Sequence, residues 1–279
     1  MLGEIFDLEI EYEKNGLKAE KSAQLWGYVL PPSPPASENQ KHPAVIICPG
    51  GGYNTVNILP CQPMAMSFCG EGISAFILDY SVTPTFFPTQ LLEVATAVKF
   101  VRDNAEKFNI DPNKIAVAGF SAGGHLSASL GVFWNSEIVR NLGFKSEDVK
   151  PNALILGYPV LSARRGWDKW TFTNLLGEEG YANSELLASV SLENHVTKDV
   201  PPTFFWHTYE DQKVPVQNAM LFTHEVVEAG KRVELHVFPE GLHALGIANW
   251  LVMPKERIHK HVDSWLKMAS NFVFQYSEM

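Results

Sequence analysis

Short apolar runs alternate with helix-periodic segments through most of the chain. Ala44 to Cys48, Ile73 to Leu78, Ile115 to Gly119, Ala153 to Gly157, Thr203 to His207 and Arg232 to Phe238 read as buried strands. Helical patterns separate them near Pro63 to Gly70, Pro88 to Phe108, Val216 to Ala229 and Pro254 to Phe274. Strand, helix, strand in succession is the mark of a parallel sheet covered on both faces, so an α/β fold is expected. Two alternating runs precede this series, Ile5 to Tyr12 and Gln24 to Leu30, and predict an edge hairpin turning through Asn15-Gly16. About eight strands result, most of them parallel. The polar, proline-rich stretch from Pro31 to Gln40 reads as an exposed connector. The periodicity fails between Leu161 and Val200, where Trp167, Trp170 and Phe172 accompany a short helical pattern at Ser184 to Val190. We expect residues 162–199 to form a small cap-like insertion on one domain spanning 1–279. Ligands of open parallel sheets bind at the carboxyl ends of strands, so such an insertion would cover a site there.

Composition narrows the class. Hydrophobic residues at 46% and charged residues at 19% describe a globular chain long enough for a large core. A net charge of −9 without clustered Lys and Arg argues against nucleic acid as a partner. The three cysteines, Cys48, Cys61 and Cys69, lack metal-ligand spacing and read as buried thiols. Neither a signal-like amino terminus nor a span of membrane length is evident, so a cytoplasmic location without membrane attachment is expected. The insertion and the edge hairpin both offer surfaces through which a homo-oligomer could pair.

The candidate chemistry begins at Gly119-Phe120-Ser121-Ala122-Gly123, where a strand run meets a small-residue helix start. A tight strand-to-helix turn of this kind projects a serine hydroxyl into a cleft, and flanking glycines let strand and helix approach closely. Serine needs a base, and the base needs an acid to fix its tautomer. Asp211, in the loop after Thr203 to His207, is the favoured acid, with Glu210 second; Asp199 precedes the strand and would sit at the other edge. Of nine histidines, His243 follows the last strand and gives the chain order Ser, Asp, His on successive carboxyl-end loops. His207 is expected to pack at its strand end, and His125 to steady neighbouring loops. Cys48-Pro49-Gly50-Gly51-Gly52-Tyr53 follows an early strand and can turn backbone amides toward a ligand. Gly51, Gly52 and Ala122 are the expected oxyanion donors. Neither Walker-type spacing nor Gly-x-Gly-x-x-Gly occurs in that loop, so it does not read as a phosphate site.

With these residues the chain resembles the α/β-hydrolase superfamily, within it the acetyl esterase and xylan esterase-like enzymes with a glycine-rich oxyanion loop. Pro49 to Tyr53, Leu78-Asp79-Tyr80, Gly119 to His125, Pro201 to Phe204, Asp211 with Val214-Pro215-Val216, and Gly241-Leu242-His243 carry the resemblance. It implies an α/β-hydrolase fold and a serine esterase triad of Ser121, Asp211 and His243. It also implies no cofactor or metal, and short-chain acyl esters as substrates, acetylated sugars or xylan fragments among them. Pro49 stands where many relatives have His, and Ala244 where the subgroup often has Gly. Tyr53, Trp167 and Trp170 are candidate substrate contacts. Activity is expected to rise with pH as His243 loses its proton. The same residues would serve an amide, peptide or formamide hydrolase, and a non-catalytic binding protein on this fold is a further alternative.

Overall fold

The computed structural model describes residues 3–32, 40–164 and 167–276. Its centre is an eight-stranded sheet in the order β1-β2-β4-β3-β5-β6-β7-β8. The first strands are β1 (Glu4–Asp7), β2 (Gln24–Tyr28) and β3 (His42–Cys48), followed by helix α1 (Ile58–Gly70), β4 (Ser74–Asp79) and α2 (Thr89–Asp103). The long central strand β5 (Ile110–Phe120) leads into α3 (Ala122–Phe133), the short α4 (Glu137–Asn141) and α5 (Ser146–Val149), and β6 (Ala153–Gly157). Then come α6 (Lys169–Ala182), α7 (Ser184–Ser189), β7 (Thr203–Thr208), α8 (Gln217–Glu228), β8 (Val233–Phe238) and α9 (Trp265–Tyr276). The pairs β1–β2 and β2–β4 are antiparallel and every other pair is parallel.

The continuous apolar runs have a direct physical cause, because both sheet faces are covered. Ile46, Phe76, Val117, Leu154 and Phe205 belong to the core that contains Leu91 of α2, Leu126 of α3 and Phe222 of α8. Their immediate strand neighbours Val45, Ile77, Ala118, Ile155 and Phe204 belong to the core with Phe68 of α1 and Trp265 of α9. Alternate residues thus feed alternate cores, as a period of two requires.

The α/β-hydrolase architecture is the one expected, while several element boundaries differ. The first strand ends at Asp7 instead of Tyr12, and Asn15-Gly16 is no hairpin tip. It closes a 3₁₀ turn inside the longer 8–23 connection, because Tyr12 leaves the ladder and its hydroxyl donates to Glu93 Oε1 at 2.9 Å. The carboxyl-terminal helix starts at Trp265, since residues 254–264 form two 3₁₀ turns within a long loop. The stretch 162–199 holds a helix, α6, that its aromatic composition concealed; Asp168 caps it by accepting from Thr171 N at 3.0 Å. Most of the proline-rich connector, residues 33–39, lies outside the described residues. No helix among the described residues is long and apolar enough to cross a membrane.

Candidate active site

Ser121 sits between β5 and α3 with φ 55° and ψ −122°, a conformation that strains any residue with a side chain. The turn is held on both sides: Ser121 N donates to Gly157 O at 3.2 Å, and Val160 N donates to Ser121 O at 3.1 Å. It is also closed by steric necessity. A Cβ on Gly123 would lie 2.1 Å from Cys48 O, and one on Gly119 would lie 2.1 Å from Gly123 O. Only glycine lets β3, β5 and α3 meet this closely.

The structure brings the three widely spaced polar residues into one hydrogen-bonded line. Ser121 Oγ is 2.9 Å from His243 Nε2, and His243 Nδ1 is 2.6 Å from Asp211 Oδ2. Donation from Nδ1–H to the carboxylate leaves Nε2 as the acceptor for the serine hydroxyl. Asp211 Oδ1 accepts from the amides of Lys213 and Val214, each at 2.9 Å. Burial alone would raise this carboxyl. Hydrogen bonds from His207 and His243, with the charge of His243 and the Val214 amide, outweigh it and hold Asp211 well below the usual carboxylate range. Glu210, the second candidate acid, instead accepts from Gly241 N at 3.1 Å and fixes the start of the His243 loop. His207 is fully buried; its Nε2 donates to Val214 O at 3.0 Å and lies 3.3 Å from Asp211 Oδ2.

The glycine loop is pinned by its carbonyls. Pro49 O accepts from Tyr80 Oη at 2.7 Å, Gly50 O from Asn57 N, and Gly51 O from the amides of Asn54 and Thr55. Gly52 O accepts from Asn174 Nδ2 at 2.9 Å, and Tyr53 O from Thr83 N at 2.8 Å. With five successive carbonyls turned outward, the amides of Gly51 and Gly52 make no hydrogen bond among the described residues. Ala122, first in α3, has an N–H without an intrahelical acceptor. Gly51 and Gly52 line the same cavity as Ser121 and His243, about 320 Å³ in volume, and Ala122 follows Ser121 directly in the chain.

Of the three candidate substrate contacts, only Trp170 lines that cavity. Tyr53 is buried to 1% exposure, and its hydroxyl donates to His125 Nδ1 at 2.9 Å. It therefore anchors the glycine loop and does not face substrate. His125 Nε2 donates in turn to Val190 O at 2.8 Å, and burial lowers its pKa from 6.5 to about 4, so it stays neutral and ties the loop to the segment after α7. Trp167 does not reach the cavity; its ring carries the Arg164 guanidinium 5.7 Å from its centroid.

Several residues of the site carry no motif. Tyr158, Cys61 and Met64 form an apolar wall with Phe120 of the serine turn, joined by Val252 and Met253 from the His243 loop. The Tyr158 ring meets His243 edge to face at 5.0 Å. Arg257 Nη2 donates to His243 O at 2.9 Å, holding His243 from a position that periodicity assigned to a helix. Ala244 has φ 65°, the left-handed region that the subgroup's usual glycine occupies without strain.

Residues 33–226 match the BD-FAE family model. The chain is 35% identical over 217 residues to endo-1,4-beta-xylanase B of Butyrivibrio fibrisolvens, covering 76% of this chain and 34% of that protein. It is 30% identical over 234 residues to the acetylxylan esterase of Xylanibacter ruminicola, covering 82% and 46% respectively. The chain thus spans between a third and a half of the length of these two relatives. An acetyl ester-xyloside bifunctional hydrolase from Caldicellulosiruptor lactoaceticus superposes with a TM-score of 0.81 at 31% identity, over 97% of this chain and 95% of that one. The extent of the family match, together with full-length similarity to that hydrolase, identifies this chain as a member of the BD-FAE family within the esterases of the α/β-hydrolase superfamily.

Proposed function

We propose that this chain is a serine carboxylic-ester hydrolase that removes short acyl groups, acetyl foremost, from acetylated xylan-type sugars. The observation that carries the reading is the hydrogen-bonded line from Ser121 Oγ through His243 to Asp211, facing the unpartnered amides of Gly51 and Gly52. His243 accepts the hydroxyl proton as Ser121 Oγ bonds to the ester carbonyl carbon, and the oxyanion forms against the amides of Gly51, Gly52 and Ala122. The ester C–O bond then breaks and the alcohol oxygen takes the proton from His243. Water, deprotonated by His243, releases the acid from the acyl-serine.

Asp211 suits its part because its carboxylate stays ionised and steadies the imidazolium. Sugar acetates enter the proposal through the acetylxylan esterase and the acetyl ester-xyloside hydrolase that the chain is similar to. The same reading treats the chain as one α/β-hydrolase domain, with residues 162–199 capping the site. The test is a panel of p-nitrophenyl esters of rising acyl length beside acetylated xylo-oligosaccharides. Steep preference for acetyl, with release of acetate from the oligosaccharides, is expected; preference for long acyl chains with no acetate release would overturn the substrate assignment.

A further inference from the structure

The walls of the catalytic cavity differ in kind. One is apolar, built from Cys61, Met64, Phe120, Val252 and Met253. Gly52, Trp170 and Lys213 form a second group in the lining, and Lys213 is the one permanently charged side chain among the described residues that line the cavity. These three are stacked in sequence. A Cβ on Gly52 would lie 1.8 Å from Trp170 Cζ3, so the indole rests directly on the oxyanion loop. Lys213 Nζ then lies 5.2 Å from the centroid of the Trp170 ring. Among the described residues no carboxylate pairs with this ammonium, although the chain carries a net charge of −9.

An ester seated on Ser121 must place its acyl part and its alcohol part on different sides of the carbonyl carbon. The apolar wall suits the acyl group, because alkyl carbons there displace water without stripping a charge. A neutral alkyl group against Lys213 would partly desolvate an unpaired ammonium at a cost. An anionic group there would gain a charge-assisted hydrogen bond, close to a ring face that already holds the ammonium by its negative quadrupole.

We propose that Lys213, positioned by Trp170, forms a subsite for a carboxylate on the leaving alcohol, so that the enzyme favours acyl esters of acidic sugars, the uronic acids, over those of neutral ones. The proposal rests on the esterase reading above and narrows its substrate class. Its test uses two aryl acetates of similar shape, 4-acetoxybenzoate with a carboxylate on the leaving phenol and 4-acetoxybenzamide without one. Wild-type protein and Lys213→Met are compared by the ratio of kcat/KM for the anionic over the neutral ester. Intrinsic reactivity of the two esters cancels between proteins, as does any general harm done by the substitution.

The expected result is a fall of about fivefold in that ratio for Lys213→Met, carried mainly by KM, the size of a solvent-accessible ion pair. Raising the ionic strength from about 0.01 to about 1 M should remove most of the wild-type preference, since it shortens the screening length from about 30 to about 3 Å. A ratio unchanged by the substitution and insensitive to salt would overturn the subsite. Failure of wild-type protein to turn over either acetate would instead overturn the esterase reading on which the subsite depends.

Discussion

Two loops meet over Ser121, and they are held in place by different means. The glycine loop, Pro49 to Tyr53, is fixed through carbonyl after carbonyl by Tyr80, Asn57, Asn54, Thr55, Asn174 and Thr83, with Tyr53 anchored on buried His125. The His243 loop is fixed at fewer points: Gly241 N on Glu210, Arg257 on His243 O, Gly246 N donating to Tyr158 Oη at 3.3 Å, and Trp265 Nε1 donating to Gly246 O at 3.0 Å. Chemistry explains the contrast. An oxyanion hole acts through amides whose positions are set before charge develops, whereas a general base must exchange protons with two partners in turn.

The strongest way to break the comparison is to disturb the pinned loop. Gly52 has φ 62° and no room for a methyl group against Trp170, so Gly52→Ala strains the loop and shifts the amide that the proposal assigns to the oxyanion hole. We expect kcat to fall about 10²- to 10³-fold, the cost of one lost donor. Steady-state kinetics would check it, and an unchanged kcat would remove Gly52 from the hole.

Two buried ionisable groups, His125 bonded to Tyr53 of the loop and Glu93 bonded to Ser81 in the segment beside it, give folding stability opposite pH responses. Burial lowers His125 from 6.5 to about 4, so between those values the unfolded chain holds a proton that the native one lacks, and stability rises with pH. Burial raises Glu93 from 4.5 to about 7 despite hydrogen bonds from Ser81 and Tyr12. The native chain there keeps a proton that the unfolded one loses, and stability falls with pH. Each slope amounts to about 3 kcal/mol across its window, so wild-type stability should be nearly flat between pH 4.5 and 6.5. His125→Gln should make stability fall with rising pH in that window and Glu93→Gln should make it rise. Urea unfolding at a series of pH values reads both slopes; parallel profiles for all three proteins would contradict the account.

On the other side of the serine, Arg257→Ala removes a guanidinium hydrogen bond to His243 O. A charged bond of this kind contributes about 2 kcal/mol, so kcat should fall by about tenfold or more, with KM little affected. Asn174→Ala deletes a single neutral bond to Gly52 O from a loop that keeps its other anchors, and a loss of about fivefold is expected. A larger loss for Asn174→Ala than for Arg257→Ala would reverse the comparison between the loops.

The sequence makes the local half of this site legible. Gly-x-Ser-x-Gly between a strand and a helix, the glycine run after β3, and one acid and one histidine after later strands name the residues that the structure joins by hydrogen bonds. The alternation of apolar runs likewise reads as the sheet. What stayed hidden is non-local. Asn174 reaches the glycine loop from α6, and Tyr80 and Thr83 reach it from the loop after β4; each side chain or amide is an ordinary one in its own segment. Tyr53 reads as a substrate contact because its loop is catalytic in type, yet its hydroxyl turns inward to His125. Arg257 was concealed in a segment whose apolar periodicity suggests a helix, although that segment folds as a loop with 3₁₀ turns.

The central claim is that Ser121 is the nucleophile, and mass spectrometry of protein treated with a fluorophosphonate tests it most directly. We predict a single phosphonyl adduct on the peptide containing Ser121, and none on Ser121→Ala. An adduct on another residue, or equal labelling of the Ser121→Ala protein, would contradict the account.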